Sequence, residues 1–303
     1  MNKFGKWFRL AAKRFLDDLE RAKSKSPPFI FDEWYAIDAC DFIEELPHVE
    51  GEWGTVNVVL HPSHILFVVA LFGFRNTDGT RRFTTALFAV ARKNAKSFLC
   101  SAILLYCLCC EKENGAQVIS AATTGSQARI VFNVAKRIVE KVAALRQQFM
   151  LESFANAMVR YETGGTFKPI NAKASTQDGL NPSHCGIDEV HAHKNHDLLN
   201  VLKSAAGARR NPLFFYTTTE GYESPGPWGE IRHYIDGKLN YGNDPVLNWC
   251  ASNIVAGTDQ NMNTVPDKKK SNDKIDDLVV MLMGIGAMLG SESVERSFWE
   301  DMA

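Results

Sequence analysis

Seven cysteines are present, and the one Cys-x-x-Cys spacing, Cys107 to Cys110, has no second to pair with; there is no low-complexity tract and no internal repeat. The formal net charge is only −1. Each absence removes a class of protein. Without paired cysteines there is no zinc ribbon or finger framework. The run "LLYCLCC" holds Cys107, Cys109 and Cys110, but a helix would splay these three around its surface. They read as buried reduced thiols, which points to a reducing cytoplasm. With almost no bulk charge, a nucleic-acid binder must rely on local basic patches. The longest apolar run, "HILFVVALFGF", stops at Arg75 and is too short to span a bilayer. Charges interrupt every apolar run of "MNKFGKWFRLAAKRFLDDLERAK", which argues against a signal peptide.

What is present suits a soluble chain with a real core: 303 residues, 45% of them apolar and 23% charged. That length accommodates one large or two modest domains. Phe4, Phe8, Ala11, Phe15 and Leu19 recur on one helical face, opposite Lys6, Arg9 and Lys13. This predicts a docking helix with a solvated basic side. From residue 83 the pattern alternates. "FTTALFAV" reads as a strand, Ser97 to Cys110 as a helix, and "AQVISAA" as a second strand. "SQARIVFNVAKRIVEKVAALRQQ" reads as one long amphipathic helix, followed by an irregular stretch with a hairpin at "ETGGTFK". "HCGID" and "PLFFYTTT" are further strands around the helix "HDLLNVLKSAAGA", and "GPWGEIRHYIDG" is another helix. Strands alternating with helices predict an α/β domain with a mostly parallel sheet. Beyond it, "NTVPDKKKSNDKIDD" is a polar linker before the apolar helix "LVVMLMGIGAML".

Glycine is missing where it would be most informative. "ARKNAKS" stands between an apolar strand and an apolar helix and ends in Lys96-Ser97, as a phosphate-cradling loop does. Such a loop wraps phosphates with backbone N–H groups at a helix N-terminus. Its lysine reaches the β- and γ-phosphates, and its hydroxyl binds magnesium. Here Val90 and Ala95 occupy the positions of the usual glycines. Downstream, "HCGIDEV" puts Asp188 and Glu189 at the end of an apolar strand, where ligands sit in a parallel sheet. The aspartate suits magnesium and the glutamate suits activation of a water. Thr217, Thr218 and Thr219 end the next strand in chain order and could sense the γ-phosphate. His191, His193 and His196 also fall close together, which keeps a zinc reading open.

Together these segments resemble the large terminase subunit of tailed bacteriophages, the motor that packages DNA. "TRRFTTALFAVARKNAKS" is similar to that family's strand and deviant phosphate loop. "VISAATTGSQARIVF" resembles its next strand and helix, "DGLNPSHCGIDEVHAHKN" its magnesium and catalytic-base segment, and "NPLFFYTTTEGYE" its coupling motif. The likeness runs from about "GKWFRLAAKRFLDDLER" to Tyr234. It implies a P-loop NTPase fold of the ASCE type, with a mostly parallel central sheet flanked by helices. It implies a helical lead-in over residues 1–60, the ATPase domain over 61–235, and a short remnant of a ribonuclease-H-like nuclease domain over 236–303. It also implies ATP and Mg2+ as cofactors. By the same resemblance, Arg92, Lys93, Asn94, Ala95, Lys96 and Ser97 would bind ATP, and Arg92 would also stabilise transition-state charge. Ser97 and Asp188 would hold magnesium, Glu189 would activate water, and Thr217, Thr218 and Thr219 would couple hydrolysis to movement. Implied partners are double-stranded DNA, the small terminase subunit, the portal protein and further copies in a ring, with no membrane. The implied location is the cytoplasm of a bacterial host.

Two departures stand out. Where the family often has a glutamine that reads adenine, this chain has "HPSH", with Ser63 and His64. His64 keeps a hydrogen-bonding atom but not the paired donor and acceptor of an amide. The second departure is in the nuclease. "LNYGNDPVLNWCASNIV" and "PDKKKSNDKIDDLVVMLMGIGAML" resemble only the end of that domain, where Asp276 fits the final carboxylate. Asp273 and Asp277 sit beside it in sequence and cannot complete a two-metal site. The expectation is a prophage-type chain that keeps the motor and has lost the nuclease. A non-catalytic interaction protein and a helicase-like P-loop NTPase are the alternatives.

Overall fold

The computed structural model describes residues 6–51, 56–91, 93–171, 179–219, 256–258 and 264–266. The expected helices at "GPWGEIRHYIDG" and "LVVMLMGIGAML" lie outside the described residues. The chain forms two compact units, Met1–Ile231 and Arg232–Ala303. Of the second, the described part is an antiparallel pair, Ala256–Thr258 with Thr264–Pro266.

The first unit is built on a seven-stranded sheet. Its strands are β3 (Thr85–Ala89), β4 (Gln117–Ala122), β5 (Leu151–Ser153), β6 (Met158–Arg160), β7 (Gly165–Asn171), β8 (His184–Ile187) and β9 (Leu213–Thr218), in the spatial order β3-β9-β8-β4-β7-β6-β5. The four pairings from β3 to β7 are parallel, and β7–β6 and β6–β5 are antiparallel. The expected hairpin at "ETGGTFK" is the β6–β7 turn. It is not a separate ribbon, because β7 also pairs with β4 and so joins the hairpin to the main sheet.

Helix α4 (Lys96–Cys109) runs through the middle of the core, and every residue from Leu99 to Cys109 is buried. A helix apolar on all sides belongs inside. This explains the cysteine cluster: burial pushes the Cys100, Cys107 and Cys109 thiols up, which keeps them protonated and poor metal ligands. The helix approaches β8 so closely that a Cβ on Gly186 would stand 2.7 Å from Cys100 Sγ and from Leu104 Cδ1. Glycine is required there by contact. Helix α5 (Gly125–Lys141) covers β4 and β7 with Val131, Phe132, Ala135 and Ile138.

The single long helix expected over 126–148 is broken. α5 ends before Val142, which is extended (φ −93°, ψ 96°), and α6 (Ala143–Gln148) starts after it. Arg146 folds back and donates to Val139 O at 2.6 Å, satisfying a carbonyl at the end of α5. Apolar periodicity runs straight through this break, so it carries no mark of the cap.

The N-terminal helix α1 (Lys6–Ala22) docks as expected through Phe15, which meets Phe31 and Phe74 edge-on at 5.8 and 5.6 Å. The same face also buries Asp18, 3% exposed, against Arg82 Nη1 at 2.8 Å. Helix α2 (Glu33–Glu44) and α3 (Pro62–Gly73) follow, with the short pair β1 (Ile30–Phe31) and β2 (Phe74–Arg75) beside them. Ile43, Leu46, Val58 and Leu60 share one core with Leu71, Leu99 and Phe215. The lead-in is therefore packed on the sheet domain. No helix among the described residues is long and apolar enough to cross a membrane.

Candidate active site

The loop after β3 achieves the expected turn without glycine. Val90 N–H still donates to Thr218 O at 3.1 Å, so the chain leaves the sheet only after Val90. Lys93 (φ 65°) and Ala95 (φ 53°, ψ 24°) are then left-handed. That conformation costs a residue bearing Cβ about 1–2 kcal/mol and is the usual reason for glycine. Strain of this kind collects at functional sites, and left-handed residues in a turn help to form anion-binding concavities of N–H groups. Asn94 Nδ2 closes the loop on Ala91 O at 3.1 Å. Ala95 is the residue before α4 and gives its first turn no side-chain cap. Lys93, Asn94 and Ala95 are exposed, whereas Lys96 is 8% exposed and Ser97 half-buried. Arg92 lies outside the described residues.

One carboxylate, Glu189, meets the buried lysine, and a second, Asp188, feels its charge. Asp188 follows β8, and its N–H donates to Ala121 O at 2.9 Å, so the strand's ladder fixes it. The side chain is 3% exposed. Its Oδ1 accepts from Thr217 Oγ1 at 2.5 Å and from Glu189 N at 3.0 Å. Burial pushes the Asp188 carboxyl above its ordinary value and the charge of Glu189 adds to this; the Thr217 hydroxyl, the Glu189 N–H and Lys96 oppose it. Glu189 is itself left-handed (φ 50°, ψ 54°). Its Oε1 lies 3.4 Å from Lys96 Nζ, and its Oε2 lies 3.1 Å from His191 Nδ1 and 3.5 Å from Thr219 Oγ1.

The strand order produces this convergence. β9 lies between β3 and β8, with Ala89 opposite Thr218 and Ile187 opposite Tyr216. The threonine strand thus stands between the loop strand and the Asp-Glu strand, although it follows both in sequence. Thr217 and Thr218 are fully buried: one bonds Asp188, and the other meets His191 Nδ1 at 2.8 Å. Chain order carries no trace of this insertion, and the only local signal was an apolar strand ending in hydroxyls.

His64, on α3, packs edge-on against Phe88 of β3 with ring centroids 5.6 Å apart. Burial lowers its pKa and nearby His61 lowers it further, so the ring is neutral at pH 7. It sits beside the strand that leads into the loop. Asp276 lies outside the described residues. The three histidines of "DEVHAHKNH" do not gather: His191 turns to Glu189 and Thr218, and no group of three or more His, Cys, Asp or Glu among the described residues is placed to hold a metal.

These residues fit a magnesium nucleotide. The strained loop supplies N–H groups, Lys96 a buried cation, Ser97 a hydroxyl one position on, and Asp188 a buried carboxylate fixed on one oxygen by Thr217.

Over 164 residues the chain is 28% identical to the "Terminase, large subunit" of Enterobacteria phage HK97, which covers 53% of this chain and 32% of that protein. Over 92 residues it is 35% identical to "Protein YmfN" of Escherichia coli K12, covering 30% of this chain and 19% of that one. The chain therefore matches less than a third of the length of either relative. The fold superposes on the crystal structure of the HK97 bacteriophage large terminase with a TM-score of 0.57 at 23% identity, covering 85% of this chain and 53% of the other. Residues 62–237, more than half of the chain, match the family model of the terminase large subunit ATPase domain, and the chain belongs to that family.

Proposed function

We propose that this chain hydrolyses ATP and that the hydrolysis drives movement of double-stranded DNA. The observation that carries the reading is the meeting of Lys96, Asp188, Glu189 and Thr217 at the carboxyl ends of adjacent parallel strands. In this reading Lys93, Asn94 and Ala95 wrap the phosphates with backbone N–H groups, joined by Arg92, and Lys96 exchanges Glu189 for phosphate oxygen. Asp188 and Ser97 hold the magnesium, which neutralises phosphate charge when bound with ATP. Glu189 orients and polarises the attacking water. Thr217, Thr218 and Thr219 lie between the two halves of the site, where a change at Asp188 or Glu189 reaches β9 directly. In the same reading His64 meets the base, with one ring nitrogen in place of an amide's two groups.

The family supports the further partners: a small terminase subunit, a portal protein, and other copies of the chain in a ring around DNA. We also propose that the chain lacks endonuclease activity: the segments that resemble the nuclease domain correspond only to its end, and Asp273 and Asp277 stand too close to Asp276 in sequence to converge with it on two metals. The test is ATP hydrolysis by the full chain with magnesium, with and without linear double-stranded DNA. Turnover that rises with DNA, falls with salt and disappears in Lys96→Ala supports the reading. Failure to bind ATP would refute it and leave a non-catalytic interaction protein. Plasmid cleavage dependent on Asp276 would overturn the second proposal.

A further inference from the structure

His191 has no role in the reading above, yet its ring touches both the Glu189 carboxylate and the threonine strand. Its Nδ1 lies 2.8 Å from Thr218 Oγ1 and 3.1 Å from Glu189 Oε2. Taken together, the two contacts call for one placement of the imidazole proton. Thr218 Oγ1 donates its own hydrogen to Thr219 O at 2.9 Å, and Thr218 is fully buried. Its hydroxyl can therefore only accept from the imidazole. A carboxylate can only accept as well. Both contacts are satisfied together only if Nδ1 carries the hydrogen and shares it between them.

The backbone is built to hold the ring there. Glu189 is left-handed and turns the chain at once into a single 3-10 turn, Val190–Ala192, closed by Ala192 N–H on Glu189 O at 2.8 Å. Val190 is fully buried and His193 is 3% exposed, so the turn is anchored on both sides of His191. His191 follows Glu189 by two residues and yet reaches back to it and across to β9.

We propose that His191 is a positioning residue that aims the Glu189 carboxylate and ties it to Thr218. The inference rests on the ATPase reading. In the structure Glu189 is held through Oε1 by Lys96 and through Oε2 by His191. Once Lys96 turns to phosphate, His191 is the holder that remains beside the weaker 3.5 Å contact from Thr219. Any displacement of the carboxylate then pulls on Thr218, in the strand between the loop and the carboxylates.

The test measures ATP turnover by the full chain in His191→Ala, His191→Asn, Thr218→Val and the His191→Ala/Thr218→Val double variant. Misaiming a reacting group by about 1 Å costs on the order of a hundredfold. The expected result is a kcat roughly ten- to hundredfold lower in His191→Ala with KM for ATP changed by less than about twofold. The asparagine amide should recover most of it, since it returns an N–H near Nδ1. The double variant should be no slower than His191→Ala. An unchanged kcat, a loss shared with KM, no recovery by asparagine, or additive losses in the double variant would overturn the proposal. If the wild-type chain itself does not turn over ATP, the underlying ATPase reading fails and this inference with it; normal turnover in both the wild type and His191→Ala sinks this inference alone.

Discussion

The ammonium of Lys96 rests 3.4 Å from a carboxylate oxygen of Glu189, joining the residue proposed for phosphate to the residue proposed for water. The lysine is 8% exposed and the glutamate 28%, so the pair is sheltered but not sealed. Nucleotide must compete with Glu189 for this lysine. Removing the two partners should therefore have opposite effects on binding. Lys96→Ala is expected to weaken ATP binding and abolish turnover. Glu189→Gln is expected to keep or tighten binding, because the competing charge is gone, while kcat falls roughly a hundredfold or more. Titration with a fluorescent ATP analogue beside a phosphate-release assay checks both. Equal weakening of binding in the two variants would contradict the competition.

Thr217 and Asp188 make a second prediction. The 2.5 Å bond joins a buried hydroxyl to a buried carboxylate. Hydrogen bonds to charged groups contribute about 1.5–3 kcal/mol. Thr217→Val should cost about that much stability, with Thr217→Ser recovering most of it. The hydroxyl is also the largest influence holding the Asp188 carboxyl down against burial. Without it, less of the carboxylate is ionised at a given pH. Turnover by Thr217→Val should then need more magnesium, and its fall on the acid side should move to higher pH. Magnesium titrations at several pH values read both shifts; coincident curves for valine and wild type would exclude the link.

Much of this site was legible because its chemistry is local. Lys96-Ser97 before an apolar helix, and Asp188-Glu189 after an apolar strand, are short patterns that a strand or helix boundary must satisfy on its own. The pairings across the sheet were not legible. That β9 inserts between β3 and β8 is a matter of packing between distant segments, and it decides that Thr217 meets Asp188. His191 looked like one of three metal candidates, because sequence spacing does not show that Glu189 is left-handed and sends the next residues back on themselves. Asp18 was hidden for a similar reason: an apolar stripe predicts which face docks, but not that Arg82 waits beneath it.

Ala95 offers a test of the glycine-free loop. It holds φ at 53°, where a Cβ costs about 1–2 kcal/mol. Glycine removes that strain but gives the unfolded chain more freedom, which takes back about 0.4–1 kcal/mol. Ala95→Gly should leave the chain more stable by about 0.5–1 kcal/mol, seen as a rise in the thermal midpoint of a few degrees at most. Ala95→Val should be clearly destabilising, because a β-branched residue is least tolerated there. A loss of stability in Ala95→Gly would mean that the loop is not held left-handed in solution.

At the opposite end of β8 from Asp188, His184 predicts how the protein responds to acid. It is 1% exposed; burial pushes its pKa down to about 3, and the charge of Arg81 pushes the same way. Glu111 lies nearby, 2.9 Å from Arg81 and 3.5 Å from Arg75. Burial would raise its carboxyl, but the arginines and His184 outweigh that and hold it at about 2. The signs agree. Below pH 6.5 the unfolded chain takes up a proton at His184 that the folded chain refuses, so stability falls as pH drops from 6.5 toward about 3. The stability from Glu111 is present above pH 4.5 and is lost as pH falls toward about 2. Between pH 6.5 and 4.5 His184 acts without Glu111, with a slope of up to about 1.4 kcal/mol per pH unit. His64 and His193 lean the same way through burial, so the slope has other contributors. His184→Asn, which keeps a group near Ser183 Oγ, should make this part of the profile distinctly shallower. Urea unfolding at pH 7, 6 and 5 measures it, and a slope equal to that of the wild type would show that His184 is not buried neutral in the folded chain.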